Sequence, residues 1–424
     1  MHLQALRVEN YRSFPGATTI PLRPLTLFYG YNNTGKSGLL RTLPLLAASV
    51  QSDSGPLNVA CPAMRGATFN DLRCRLTSNP VVGIGLDFGE PNGPHLESFS
   101  YQFRFIPEKS THIIENLAYS TASESSNYEI QWQPVLMGGS FYHFISSIVS
   151  EKNLEVSFKG ISPVKCNNKK AEELLHSSAI RLSHFSEHFH WLSSLRNPIN
   201  RFEFTSSGSY RLTQDGSGQG VAPVLIFDHS QDGIVFRDVA EWFEQTTQHR
   251  LNVCHSPTFS GPLTALALTP KASPLVDIPF PDSGEGMGQV LPVIVLSILA
   301  KQGKLGAKPV LLLEHPEVHL QPTMHAPIAE VLCQAIRSPS TPQILVETHS
   351  ENLLLRVQLE IATGKLDPKM VILHWLSQSE NGQTRIKTIE FDEQARPVAD
   401  NWPANVFDSN IQQAKKILQA RKII

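Results

Sequence analysis

Gly30-Tyr31-Asn32-Asn33-Thr34-Gly35-Lys36-Ser37 stands between a short apolar run at 25–29 and a stretch expected to be helical from Lys36 to about Leu46. A glycine-bearing turn that closes on Lys-Ser, entered from a strand and left by a helix, is the pattern of a phosphate-binding loop. Glycines let successive backbone N–H groups curl around a β-phosphate, and the helix N-terminus adds positive potential. Lys36 is predicted to reach the β/γ oxygens and Ser37 to offer its hydroxyl to Mg²⁺, so ATP and Mg²⁺ are the expected ligands. Asn32, Asn33, Thr34 and Gly35 complete the expected cradle.

Outward from this loop the pattern changes twice. Upstream, residues 3–8 alternate like a half-buried strand and 20–22 offer a second. From about residue 51 to 270, polar and turn-rich stretches separate short alternating strands such as 81–88 and 99–105, with helices expected at 171–195 and 239–247. An α/β rhythm then returns: a buried helix at 290–300, an apolar strand at 310–313, a helix at 324–336, and strands at 344–346, 371–376 and 384–391. The predicted fold class is therefore α/β, a P-loop NTPase core contributed by residues 1–50 and 271–424 and split by a mixed α+β insertion, 51–270, expected to act as a lid or partner-binding region.

With 424 residues the chain is long enough for a large core and more than one folding unit. Its 36 basic and 38 acidic residues nearly balance, which excludes a global basic field; any contact with DNA must use a local patch. Five scattered cysteines, Cys61, Cys74, Cys166, Cys254 and Cys333, form no CxxC pair and suit a reducing compartment. The first ten residues lack a signal-peptide core and no apolar run approaches a membrane span, so a cytoplasmic protein without membrane attachment is expected.

Two apolar runs end in acids. Val310-Leu311-Leu312-Leu313-Glu314 reads as a buried strand whose terminal carboxylate could hold a Mg²⁺-bound water opposite Ser37, and it continues into His315-Pro316-Glu317-Val318-His319-Leu320-Gln321-Pro322. The second ends in Glu347-Thr348-His349-Ser350. Upstream of both, Ser283-Gly284-Glu285-Gly286-Met287-Gly288-Gln289 is a glycine-rich helix start of the kind that can face a phosphate.

Together with Val8-Glu9-Asn10-Tyr11-Arg12-Ser13-Phe14, these motifs resemble the ABC-type ATPases related to the SMC, RecF and OLD proteins, above all the small AAA-labelled bacterial subgroup without coiled-coil arms or a Toprim domain. The resemblance extends over most of the chain, including residues 62–72 and the tail Asn401-Trp402-Pro403. It implies that Glu314 is the Walker B acid and a metal-site residue with Ser37, that residues 318–322 form the D-loop, and that His349 is the switch histidine sensing the γ-phosphate. Ser283, Gly284, Gly286, Gly288 and Gln289 would be the signature segment, directed at the ATP of an opposite subunit. One position departs from the pattern: His315 stands where such ATPases usually carry the Glu that orients water. Three readings stay open, with His315 as base, with Glu317 in its place, or with slow hydrolysis and ATP chiefly clamping a dimer; slow turnover is the expectation.

Other features admit two readings each. Residues 65–73 are a candidate Q-loop region. Arg196 and Arg201 resemble an arginine segment ahead of the returning core, or are solvated surface charges. His184, His188 and His190 have spacing for a metal on a helix, against a surface histidine cluster. Lys415, Lys416, Arg421 and Lys422 make a basic helix face, or an ordinary solvated helix end.

The resemblance implies a homodimer or higher assembly that uses ATP to switch a separately encoded effector such as a nuclease, or to engage DNA, in anti-phage defence or DNA repair. The alternatives are a non-hydrolysing ATP sensor or scaffold, an OLD-like nuclease, and the ATPase subunit of a transporter. The residues after His349 lack the clustered acids of two-metal cleavage. The Asn-Tyr-Arg-Ser-Phe segment and the long insertion weigh against a transporter.

Overall fold

A computed structural model of the chain describes residues 2–50, 52–90, 93–134, 141–204, 208–210, 212–213, 215–258, 261–398 and 402. Its centre is a six-stranded sheet in the order Phe189–Leu192, Val310–Glu314, Gln343–Glu347, Leu25–Gly30, Val371–Gln378, Thr384–Ile389. Neighbours are parallel except for the last pair. Val310–Glu314, Gln343–Glu347 and Leu25–Gly30 are buried at every position, as strands covered on both faces must be, which is why they read as unbroken apolar runs.

Alternation along each strand divides the interior in two. Leu25, Leu27, Tyr29, Leu311, Leu313, Ile344 and Val346 face a core built with the helices Val221–Ser230, Ile234–Thr247, Glu285–Lys301, His325–Ile336 and Glu351–Ala362. Phe28, Val310, Leu312 and Leu345 face the other way, toward Thr42–Ser49, Lys169–His188 and a nine-stranded antiparallel sheet. That sheet runs Ser162–Cys166, Ser150–Lys159, Phe141–Ser146, Tyr128–Gln133, Thr111–Thr121, His95–Ile106, Val81–Gly89, His2–Glu9, Thr18–Pro21. A smaller sheet pairs His249–Thr258 with Gly261–Pro270, flanked by Glu203–Phe204 and Ile278–Pro279.

The sheets do not respect the cuts at residues 50 and 270. His2–Glu9 pairs with Val81–Gly89. Phe189–Leu192 lies beside Val310–Glu314 in the central sheet, in a region expected to be helical to 195. The helix there stops at His188, and its last turn hands over directly to the strand at Phe189. The loop-proximal helix also differs from expectation: it is two helices, Lys36–Leu40 and Thr42–Ser49, meeting at Arg41. That junction matters because of what the Arg41 side chain reaches.

Candidate nucleotide site

The P-loop sits at the C-terminal edge of the parallel strands, where open α/β sheets place their ligands. Gly30 and Gly35 are both required by geometry. At Gly30 a Cβ would fall 2.2 Å from the Leu376 carbonyl oxygen of the adjacent strand. Gly35 is left-handed (φ 89) and caps the helix Lys36–Leu40; a Cβ there would approach Ser13 Oγ to 2.8 Å and Thr384 Oγ1 to 3.0 Å. These two hydroxyls bond each other at 2.6 Å, and Thr384 donates to the Thr34 carbonyl at 2.8 Å. The Asn-Tyr-Arg-Ser-Phe segment thereby braces the loop. Thr34 in turn donates to the Tyr31 carbonyl, while Asn33 is left-handed and Asn32 is exposed.

Lys36 is buried and its Nζ donates to the Gly30 and Tyr31 carbonyls at 2.9 and 2.7 Å, so the loop is folded around its own ammonium. Burial lowers the Lys36 pKa, against the opposing pull of Glu347. Ser37 Oγ donates to Glu347 Oε1 at 2.6 Å. Glu347 and Glu314 are partners across adjacent parallel strands, and the strand carrying Glu347 is the one next to the P-loop strand.

Glu314 accepts three hydrogen bonds. Arg41 grips it bidentately, Nε to Oε1 at 2.9 Å and Nη2 to Oε2 at 2.6 Å, and the Trp191 indole donates to Oε1 at 3.0 Å. Its side chain has 0% exposure. Glu347 is almost as deeply buried, yet its Oε2 has no hydrogen-bond partner among the described residues, and neither does Glu317 Oε2. Burial raises the Glu347 pKa, countered by the bond from Ser37 and by His315.

Past Glu314 the chain makes a tight turn with His315 at φ 46, its N–H donating to the Glu347 carbonyl at 2.7 Å. The His315 ring lies 3.7 Å from oxygens of both Glu317 and Glu347. Burial pulls its pKa down, but those carboxylates and Glu314 outweigh it, and the net shift is upward. Stacked on it, with ring centroids 5.1 Å apart, is His349, whose pKa is lowered by burial and then by Lys36 and His315. The His349 N–H donates to Glu317 Oε1 at 2.9 Å. Burial raises the Glu317 pKa, but the bonds from His315 and the His349 N–H turn the net shift downward.

The structure thus gathers Lys36, Ser37, Glu314, His315, Glu317 and His349 into one site. It places Ser283–Gln289 elsewhere, at the start of the helix Glu285–Lys301, against His319 and Leu320. Gly284 (φ 96) precedes the helix, Ser283 Oγ bonds the Phe280 carbonyl, a Cβ on Gly286 would come 2.7 Å from the His319 carbonyl, and Gly288 has open space beside it. Gln289 turns inward and its amide donates to the Arg196 carbonyl at 3.2 Å.

Arg196, 6% exposed, is no surface charge. Its guanidinium donates to the carbonyls of Gln289, Glu314 and His315 at 3.1, 2.7 and 3.1 Å, tying the glycine-rich helix start to the end of the acid strand. Burial lowers its pKa to about 10. Arg201, by contrast, is exposed and forms an ion pair with Asp282. Residues 65–73 contain a helical turn capped by Thr68 and Asp71, with exposed, left-handed Arg65 near enough to feel Arg41, Glu314 and Glu347. His184 and His188 stack on each other, but no group of three or more His, Cys, Asp or Glu among the described residues is placed to hold a metal, so the histidine spacing there does not make a site. Lys415, Lys416, Arg421 and Lys422, with Asn401 and Pro403, lie outside the described residues. No helix among the described residues is long and apolar enough to cross a membrane.

Arg41, Trp191 and Glu347 were not among the expected site residues. Glu347 had a signal, since Ile344-Leu345-Val346-Glu347 ends as Leu311-Leu312-Leu313-Glu314 does. Arg41 stands four residues past Ser37, on the same helical face. Trp191 has no such signature.

The described residues fit a nucleotide with a divalent cation: a glycine-bearing turn at a helix start, a buried lysine inside it, and an orphaned oxygen on Glu347, the carboxylate that holds Ser37. Residues 1–131 match the family model described as "AAA ATPase domain", and residues 269–356 match "AAA domain, putative AbiEii toxin, Type IV TA system". Among solved structures, the chain is similar to an SMC head bound to the C-terminal winged-helix domain of ScpA (11% identity, TM-score 0.50, covering 92% of this chain and 98% of that one). It also matches the SMC head domain from Thermotoga maritima (12%, TM-score 0.44, 91% and 98%). A third match is the Pyrococcus furiosus Smc head with an extended coiled coil bound to the ScpA C-terminal domain (12%, TM-score 0.48, 99% and 99%). No curated protein matches the chain.

Proposed function

We propose that the chain, whose residues 1–131 and 269–356 match AAA-type ATPase family models and whose fold is that of an SMC head, is an ABC-type ATPase that works as a slow ATP-dependent switch, closing as a homodimer on nucleotide and relaying that state to a separate partner. The observation that carries the slow turnover is His315. Wedged 3.7 Å from oxygens of both Glu317 and Glu347, which raise its pKa against the effect of burial, its imidazole is held by two carboxylates at the position where a water-orienting carboxylate is expected, and is poorly placed to take a proton from water.

The remaining roles follow from the site. Lys36, now on the Gly30 and Tyr31 carbonyls, would pair with the β/γ-phosphates, the P-loop amides would hold the β-phosphate, and Ser37 with a strand-end carboxylate would hold Mg²⁺. Mg²⁺, when bound, neutralises charge on the phosphate oxygens. His349 stays neutral beside Lys36 and donates or accepts a hydrogen bond at the γ-phosphate, while Glu317 orients water less well than a Glu at 315 would. Ser283, Gly284, Gly286 and Gly288 meet the nucleotide of the second subunit. Arg196, bonded to both the Gln289 and His315 carbonyls, makes the two ends of this circuit move together.

A partner protein is supported by the head-domain relative bound to ScpA, and a defence role by the toxin–antitoxin description of the C-terminal family model. The effector is encoded separately, a nuclease being the leading class, with DNA as a further ligand and repair as the other setting; the location is cytoplasmic. A non-hydrolysing sensor is the second reading, favoured by the occupation of Glu314 by Arg41 and Trp191.

Turnover and molar mass measured together test the proposal. Wild type should dimerise on ATP and hydrolyse it well below the ~10 s⁻¹ typical of enzymes; Lys36→Ala should do neither, and His315→Glu should raise turnover about tenfold or more. Fast hydrolysis by the wild type, or a monomer at saturating ATP, refutes the switch.

A further inference from the structure

We propose that the carboxylate taking the divalent cation beside Ser37 is Glu347, and that Glu314 is a structural acid committed to Arg41 and Trp191. The inference rests on the ATP-binding reading above and narrows it to one side chain.

Three observations point the same way. Glu314 is already committed: Arg41 donates to both of its oxygens and Trp191 to one of them, three bonds in all, and the side chain is wholly buried. Drawing it toward a cation would strip a guanidinium that is itself only 11% exposed of its partner. Glu347 is the reverse. Its Oε1 already holds the Ser37 hydroxyl at 2.6 Å, and its buried Oε2 is left without any partner among the described residues. A buried carboxylate oxygen in that condition is unfavourable unless a cation or its water comes to it.

The sheet order supplies the third argument. Glu347 ends the strand directly beside Leu25–Gly30, whereas Glu314 ends the strand one further out. Glu317 Oε2, also orphaned, belongs to the carboxylate on the other side of the His315 ring from Glu347. One or two carboxylates, a hydroxyl, waters and phosphate oxygens are what Mg²⁺ selects, so no cage of three protein acids is needed.

Mn²⁺ binding followed by electron paramagnetic resonance, with a non-hydrolysable ATP analogue present, separates the two acids. Binding of fluorescent mant-ATP in EDTA serves as the metal-free reference, and thermal melts report folding. For Glu347→Gln, Mn²⁺ affinity in the ternary complex should fall tenfold or more while metal-free nucleotide binding stays within twofold of wild type. Glu347→Asp, which keeps the charge but withdraws it by one methylene, should fall in between and guards against a folding defect in the amide variant. Glu314→Gln should melt lower yet keep its Mn²⁺ affinity within threefold. Undiminished Mn²⁺ affinity in both Glu347 variants, or its loss in a folded Glu314→Gln protein alone, overturns the assignment. Absence of nucleotide binding by the wild type in EDTA and in Mn²⁺ alike would instead overturn the ATP-binding reading, and this inference with it.

Discussion

Replacing Arg41 by Met removes the cation that, among the described residues, pairs with the fully buried Glu314, and the structure allows the cost to be worked out. Met keeps most of the aliphatic stem, so packing at the junction between Lys36–Leu40 and Thr42–Ser49 is largely preserved. What disappears is a bidentate pair at 2.9 and 2.6 Å, leaving Glu314 with the Trp191 N–H alone. Breaking one side of a buried pair costs about 3–5 kcal/mol, mostly because the surviving charge is stranded. At about 2 °C per kcal/mol for a chain larger than 250 residues, the melting temperature should fall by roughly 5–10 °C. The double variant Arg41→Met/Glu314→Gln removes the stranded charge and keeps an oxygen for Trp191. It should recover about half the loss or more, so that the coupling energy in a double-mutant cycle from urea or thermal melts, which is that recovery plus the cost of Glu314→Gln alone, is at least about 2 kcal/mol. If Arg41→Met costs less than about 1 kcal/mol, or the two substitutions add within about 0.5 kcal/mol, then the pair is not a buried unit and the assignment of Glu314 to structure fails with it.

Acid should destabilise the fold through His374, whose Nε2 donates to the Pro21 carbonyl and whose pKa burial lowers to about 4. Because the unfolded ring titrates near 6.5, its stability contribution is intact above about pH 6.5 and falls as the pH drops toward 4, by up to about 3 kcal/mol. His374→Gln should flatten that limb of a stability-versus-pH curve, and an unchanged slope would count against it. His315 has the opposite sign. With its folded pKa raised, its contribution is complete below about pH 6.5 and is lost as the pH rises through the folded value, so His315→Gln should lessen the stability loss on the alkaline side, read by the same melts. Gly35→Ala forces a left-handed Cβ to within 2.8 Å of Ser13 Oγ and should weaken mant-ATP binding tenfold or more, an effect that Ser13→Gly should partly reverse if the clash is the cause. Arg196→Lys keeps the charge but not the fork, and should satisfy one of three carbonyls. A loss of about 1–3 kcal/mol in melts is expected, and near-wild-type stability would show that water serves those carbonyls equally well.

The parts legible from sequence are those where local pattern and tertiary role coincide. A loop that must wrap a phosphate needs its glycines and its lysine in order, and strands buried on both faces need unbroken apolar runs, so Gly30–Ser37, Val310–Glu314 and Ile344–Val346 declared themselves. The nine-stranded sheet did so only at 81–88 and 99–105, because its other strands alternate more weakly and are separated by turns that look like any loop. Phe189–Leu192 was hidden for another reason: four residues following a helix without a breaker carry no period of their own, and only the far-off strand at 310–314 makes them a strand. Arg41, Trp191 and Glu314 come from three remote stretches, and which acid a buried guanidinium will choose is a matter of packing that no spacing rule encodes. Arg196 was weighed as solvated because charge at the surface is the ordinary case, whereas here three backbone carbonyls replace its water.

Trp191 and Trp375 have a spectroscopic consequence. Of the five indoles in the chain, one donates its N–H to Glu314 and another meets the ring of Tyr31, in the loop itself, edge-on at 5.5 Å. Indole emission responds to nearby charge and to hydrogen bonding at the ring nitrogen. Two of the chain's native ultraviolet emitters thus sit at its own nucleotide site, and the arrival of a phosphate or the displacement of Arg41 should be visible in the unlabelled chain.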